Sequence, residues 1–163
     1  MRIAHINVTS GLSTGRIAAG ICEVLTELGH RGLFCYSRGY PPEGVPGYRI
    51  GNRADVALHA LGARLLDRAG FFSRAATRRL TRQLALYKPD VVHLHNLHGY
   101  YLDVPALFAW LARAGVPVVW TLHDCWPYTG HCAYYTANRC DRWRSGCGHC
   151  PQLHAYPRSL ALD

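Results

Sequence analysis

The sequence predicts an α/β fold: a Rossmann-like parallel sheet with helices on both faces, followed by a Cys-rich loop. Three observations predict it. Short Val-, Ile- and Leu-rich runs alternate with segments of helical period in the order βαβ, two helices, βαβ, the pattern of parallel sheets covered by helices on both sides. Polar clusters rich in Gly, Ser, Thr, His and Asn follow three of the strand-like runs. From His123 onward the periodicity stops, and five of the seven Cys fall between Cys125 and Cys150.

The elements follow in order. Arg2 to Val8 reads as a buried first strand, and Thr9 to Gly15 as a loop of Gly, Ser and Thr. Arg16 to Leu28 reads as an amphipathic helix with Ile17, Ile21, Val24 and Leu28 on one face, capped by Ser13 or Thr14 and ended by Gly29. Gly32 to Tyr36 is a second strand, and Arg38 to Pro46 a Pro/Gly loop. Two helices, Arg53 to Ala69 and Ser73 to Tyr87, break at Gly70. Asp90 to Leu94 is the third strand. Asp103 to Ala114 is a helix with Leu107, Phe108 and Leu111 on one side, ended by Gly115, and Val118 to Leu122 is the fourth strand. The expected organisation is 1–124 as the Rossmann-like part, 125–157 as the Cys-rich module and 158–163 as a remnant of whatever follows.

A chain of 163 residues that is 49% hydrophobic and 17% charged has material for one core, which excludes general disorder. No apolar run approaches the ~18–20 residues of a membrane span. The N-terminus lacks the apolar block and cleavage site of a signal peptide, so the expected location is cytoplasmic. The net charge of +8 is concentrated between Arg49 and Lys88, which holds nine basic residues against Asp55 and Asp67. Such a face either is a solvated helix surface or meets an anionic partner. Nucleic acid is disfavoured, because these arginines lie far in sequence from the cysteines and nothing resembles a DNA-reading finger.

Ligands of open parallel sheets sit beyond the carboxyl ends of the strands, so the polar clusters there are the candidate site. Ser13, Thr14, Gly15 and Arg16 open a helix whose free N–H groups and dipole suit a phosphate, although the loop is neither G-x-G-x-x-G nor a P-loop. His93 and His95 share one side of a strand with Leu94 opposite. His93 reads as packed inside, whereas His95, Asn96 and His98 at the strand end suit a hydroxylated ligand. His123 and Asp124 follow the fourth strand, suited to a phosphate or a sugar hydroxyl. No Ser-His-Asp or Cys-His arrangement suggests a hydrolase. Cys132, Cys140, Cys147 and Cys150, ending in Cys-x-x-Cys, match a closed structural Zn2+ site. His131, His149 and Cys125 are substitute ligands, and free buried thiols or one disulfide are the alternatives. Cys22 and Cys35 read as small core residues.

Two long stretches carry a resemblance. They are Lys88-Pro-Asp-Val-Val-His-Leu-His-Asn-Leu-His-Gly-Tyr-Tyr, and Val119-Trp-Thr-Leu-His-Asp-Cys-Trp-Pro-Tyr-Thr-Gly-His-Cys-Ala-Tyr with the later Cys140-x-x-Trp-x-x-Gly-Cys-x-x-Cys-Pro-Gln. With the Gly loop, they resemble the N-terminal half of bacterial family-four glycosyltransferases of the colanic acid and exopolysaccharide type. The resemblance implies the first of two Rossmann-like domains of a GT-B fold and a retaining (hexosyltransferase-type) transfer from a nucleotide sugar to a growing, lipid-linked glycan. It implies that the Gly loop approaches the donor phosphates, that His123 faces the donor sugar and that no catalytic metal is needed. It also gives the basic face a use, docking on anionic lipid at the inner membrane surface. The family's second domain, with the nucleotide site and a Glu pair, has no counterpart in these 163 residues, so the chain alone is not expected to transfer sugar efficiently. The alternative is a non-catalytic glycan-binding or partner-dependent module.

Overall fold

A computed structural model of the chain describes residues 1–160; the end of the 158–163 segment lies outside the described residues. Five parallel strands, β1 (Arg2–Thr9), β2 (Arg31–Arg38), β3 (Gly47–Arg49), β4 (Val91–Leu94) and β5 (Val118–Trp120), form one sheet in the order β3-β2-β1-β4-β5. The order runs outward in one direction through β2 and β3 and in the other through β4 and β5. The switch point is therefore the crevice between the carboxyl ends of β1 and β4, where such sheets bind ligands.

Helix α1 (Ser13–Glu27) covers one face, and α3 (Arg74–Tyr87) and α4 (Val104–Ala114) cover the other; α2 (Arg53–Leu66) precedes α3. Alternation along the strands sends Ala4, Ile6, Leu33, Cys35, Val92 and Leu94 into the main core with Leu80, Leu84, Leu107 and Leu111. On the opposite face Phe34 and Tyr36 meet Ala18 and Cys22 of α1. Cys22 and Cys35 are fully buried, as core residues should be. Asp103 caps α4 by accepting from Ala106 N–H at 2.9 Å, and Gly115 closes it with φ of 62°. Gly70, in the break between α2 and α3, has a positive φ, and a Cβ there would lie 2.9 Å from the Trp126 ring.

Several expectations need correction. Strand β3 was not foreseen, because three residues behind a Pro/Gly loop carry no readable alternation. Helix α1 starts at Ser13 rather than Arg16, and Leu12 occupies its N-cap with no side-chain hydrogen bond, so neither Ser13 nor Thr14 caps it. The face α1 buries is its small one, Gly15, Ala18 and Cys22, while Ile17 and Val24 are 51% and 54% exposed. Close approach is the reason: a Cβ on Gly32 of β2 would stand 2.5 Å from the Cys22 sulfur, which leaves no room for larger side chains. Phe108 of α4 is likewise at the surface, its ring 5.4 Å from that of Trp120.

Residues 125–157 hold no strand, only the single 3-10 turns Trp126–Tyr128, Tyr135–Asn138 and Arg142–Arg144. Tyr128, Tyr135 and Trp143 pack ring on ring, with centroids 5.1–6.2 Å apart. The segment is tied back to the sheet domain by Trp126 on Gly70 and by His131 Nδ1 against Asp67 Oδ1 at 2.6 Å.

A cleft at the switch point

The carboxyl ends of β1 and β4 frame a cleft of about 300 Å3, the lower end of the size range of small-molecule sites. Thr9, Leu12, Ser13 and Thr14 form one wall, Asn96 and His98 another, and Asp124, just past β5, closes it with Tyr134 and Tyr156 of the Cys-rich segment. Arg38, the last residue of β2, also lines it.

Hydrogen bonding holds these walls in place. Asn7, inside β1, accepts from the Asn96 N–H at 3.0 Å through its Oδ1, and its Nδ2 donates to Thr9 O at 2.7 Å. One buried amide thus ties the two strand ends. His98 Nε2 lies 2.7 Å from Asp124 Oδ2, with both side chains 5% exposed, and His98 Nδ1 is 3.0 Å from the Tyr156 hydroxyl. Asp124 Oδ1 accepts from the Trp126 N–H at 3.0 Å. Burial pushes the Asp124 carboxyl up, but the His98 hydrogen bond and charge, the Trp126 N–H and the Asn96 amide together outweigh it and leave the pKa lowered. Asp124 is therefore a carboxylate at neutral pH, and His98 must present it an Nε2–H. Burial first, then Tyr100, push the Tyr156 phenol up to about 12, so it stays neutral.

On the other wall, α1 begins without a side-chain cap. Its first-turn N–H groups have no intrahelical partners and carry the positive end of the helix dipole. Ser13 and Thr14 bring that end to the cleft, and Arg38 adds a cation whose Nη2 donates to Gly99 O at 2.8 Å. A cleft with an anion-seeking rim on one side and hydrogen-bonding carboxylate, imidazole, phenol and amide groups on the other is suited to a ligand that carries both phosphate and hydroxyls.

Of the residues expected here from sequence, Ser13, Thr14, Asn96, His98 and Asp124 come together, and four do not line the cleft. Gly15 is buried against the chain: a Cβ would stand 2.6 Å from Thr9 O and 2.7 Å from Ser10 C, so its smallness lets α1 start directly over the end of β1. Arg16 lines a neighbouring groove with Tyr40 and Glu23, and its Nε donates to Gly11 O at 3.3 Å. His95 is 2% exposed, and its Nδ1 is 3.1 Å from His123 Nε2. Burial lowers the His123 pKa against the opposing pull of Asp124, and burial first, then the neighbouring histidines, hold His95 down to about 3. His93 is packed inside as expected, its Nε2 2.8 Å from Thr121 Oγ1. Sequence reasoning missed Arg38 and Tyr156. Arg38 had a signal, since Ser37-Arg38-Gly39 is a further polar cluster at a strand end. Tyr156 had none, because it lies in the irregular segment after β5 and reaches His98 from 58 positions away.

Cys132, Cys140, Cys147 and Cys150 line one small cavity with Tyr135 and Trp143, and Cys132, Cys140 and Cys147 are not in disulfides. The Cys132 thiol is pushed up by burial first and then by Cys150, Cys147 and Cys140 beside it. The Gly130 N–H donates to the Cys147 sulfur at 3.2 Å. Among the described residues, only His5, His93 and His95 bring three ligand atoms within 4.8 Å of one another, so the four sulfurs stand wider than a bound ion would hold them.

A parallel sheet with a polar cleft at its switch point defines a Rossmann-like ligand-binding domain. Comparison with known proteins narrows this: the Glycosyl transferase 4-like domain family matches residues 14–146, and the chain belongs to that family. WcaC of Escherichia coli (strain K12), a protein named for glycosyl transfer in colanic acid biosynthesis, is 36% identical over 114 residues, 67% of this chain. The chain matches only 26% of that relative's length. Among solved structures, the glycosyltransferase VinC, crystallised with dTDP, superposes with a TM-score of 0.55 at 14% identity, covering 100% of this chain and 46% of VinC. That likeness establishes the shared fold. The Streptomyces sp. SF2575 glycosyltransferase SsfS6 gives 0.46 at 17% identity, covering 76% of this chain and 40% of SsfS6.

Proposed function

We propose that this chain is the acceptor-side half of a retaining glycosyltransferase that moves a sugar from a nucleotide-sugar donor to a growing, lipid-linked glycan of a cell-surface polysaccharide. The observation that carries the reading is the cleft itself: the uncapped start of α1 and the Asp124–His98–Tyr156 chain face each other across the switch point. The α1 terminus with Arg38 would meet the donor diphosphate, because its free N–H groups and the guanidinium both favour an anion. Asn96, His98 and Asp124 would hold acceptor hydroxyls, and His123, which does not line the cleft itself, would face the donor sugar from beside it. The relative named for colanic acid directs the reading to exopolysaccharide. In this role the side chains act by positioning and electrostatics rather than as a covalent nucleophile.

Equilibrium dialysis with a labelled lipid-linked saccharide, with and without a nucleoside diphosphate, tests this. The proposal expects saccharide binding that strengthens with the nucleotide and weakens at least tenfold in His98→Ala. A glycan-binding module without transferase ancestry in its use would bind saccharide with no response to the nucleotide. Binding indifferent to both nucleotide and His98→Ala would sink the proposal.

Two further parts belong to the same reading. The four cysteines would hold a structural Zn2+ that draws the loop closed, with the Gly130 N–H already supporting the Cys147 sulfur as thiolate sites require. The basic segment would dock the domain on anionic lipid at the cytoplasmic membrane face. All nine of its Arg and Lys are exposed, and α2 adds an exposed stripe of Leu58, Leu61 and Leu65 one helical turn apart. No helix among the described residues is long and apolar enough to cross a membrane.

A further inference from the structure

The face of the sheet that α1 shares carries a group of histidines for which the cleft has no use. His5 of β1 stands directly opposite His93 of β4 in the ladder. Alternation puts His95 on the same side. Ring centroids are 4.1 Å apart for His93 and His95, 5.2 Å for His5 and His93 and 5.9 Å for His5 and His95. The three are 0%, 9% and 2% exposed. His5 has no hydrogen-bond partner at either ring nitrogen, and His95 has none at Nε2. His93 uses Nε2 on Thr121 and keeps Nδ1. One ring nitrogen from each residue lies within 4.8 Å of the other two.

Unpartnered ring nitrogens at the centre of a sheet carry the full cost of desolvation. A core of Phe or Leu would avoid it. Three convergent imidazoles with nitrogens to spare are instead the donor set of a borderline transition-metal ion. We propose that His5, His93 and His95 bind one divalent ion of the Zn2+ class, at a site separate from the cysteines. Burial holds His5 and His95 down to about 4 and about 3, so the rings are already in the neutral form a metal needs. Bonds of about 2.0–2.1 Å require the nitrogens to close in by roughly an ångström, a change within the reach of ring rotation.

The ion would also act at a distance. Its natural contact on His95 is the unpartnered Nε2, which leaves the proton on Nδ1. That N–H then donates to His123 Nε2, 3.1 Å away, and puts the His123 proton on Nδ1. A metal on one side of His95 thereby selects the tautomer of His123 on the other. Metal binding does not depend on the transferase reading; only the use made of His123 does.

The test starts from the full chain, refolded from chelator with excess Zn2+ or Co2+ and dialysed. Wild type is expected to retain one more ion per chain than His5→Phe at equal circular dichroism. Co2+-loaded wild type is expected to show strongly shifted imidazole N–H resonances, which disappear in His5→Phe while the thiolate-to-cobalt absorption is unchanged. Equal metal content in two folded proteins overturns the proposal. So does the absence of shifted imidazole N–H signals in wild type, a result that needs no variant to fold.

Discussion

Gly15→Ala separates a packing glycine from a phosphate-binding one. The added Cβ would lie 2.6 Å from Thr9 O and within 2.9 Å of Thr9 C, all backbone atoms at the end of β1. None can swing aside, so α1 must lift by several tenths of an ångström. Overpacking of this kind costs about 1–3 kcal/mol, and Ala returns at most about 1 kcal/mol of helix propensity. With the full return the net loss is about 0–2 kcal/mol, a fall of up to about 8 °C in Tm for a chain of this size. Gly20→Ala is the control: the same helix, with nothing within 4 Å of the new Cβ, so it should gain up to about 1 kcal/mol. Differential scanning calorimetry of the two variants decides it. A Gly15→Ala protein as stable as Gly20→Ala would refute the packing role and return Gly15 to the ligand.

Other consequences are independent of that one. His59 is buried, with Nδ1 2.8 Å from Ser73 Oγ and Nε2 accepting from Gly70 N–H, and burial holds its pKa down to about 4. Between that value and the ordinary 6.5 the unfolded chain binds a proton the folded one refuses, so stability should fall as pH drops through this window, by on the order of 3 kcal/mol. Urea midpoints of wild type against His59→Gln across pH 4–7 check it; parallel curves would contradict it. Arg64→Gln with Arg68→Gln should weaken flotation on anionic vesicles by about 2 kcal/mol, roughly 30-fold, with no change on neutral ones. Chelator should lower the Tm of Zn2+-loaded wild type far more than that of Cys147→Ser; equal responses would leave the cysteines without a metal role.

What the sequence made legible follows from physics that is local. Strands β1, β2, β4 and β5 announce themselves by short apolar runs, and α4 by Asp103, its apolar spacing and Gly115. The resemblance of the Lys88–Tyr101 and Val119–Tyr134 stretches then supplied the family. What stayed hidden depends on distance between elements. The burial of Ala18 and Cys22 in place of Ile17 and Val24 is set by how near α1 comes to Gly32, which no periodicity encodes. His98 and Asp124 were each readable as ligand groups, but not that they pair across 26 positions, nor that Tyr156 reaches His98 from 58 positions away. His5 lies inside a strand legible only as a buried run, and it is the register with β4 that sets it beside His93.

The central claim is that the β1/β4 cleft receives a nucleotide-sugar donor through the start of α1. Amide shifts in a 15N-labelled chain titrated with a nucleoside diphosphate test it most directly. The account predicts the largest saturable shifts at Ser13 and Thr14, with smaller ones at Asn96 and the Arg38 side chain, and none along α3. Shifts confined to the arginines of α2 and α3, or no saturable shifts at the start of α1, would contradict it.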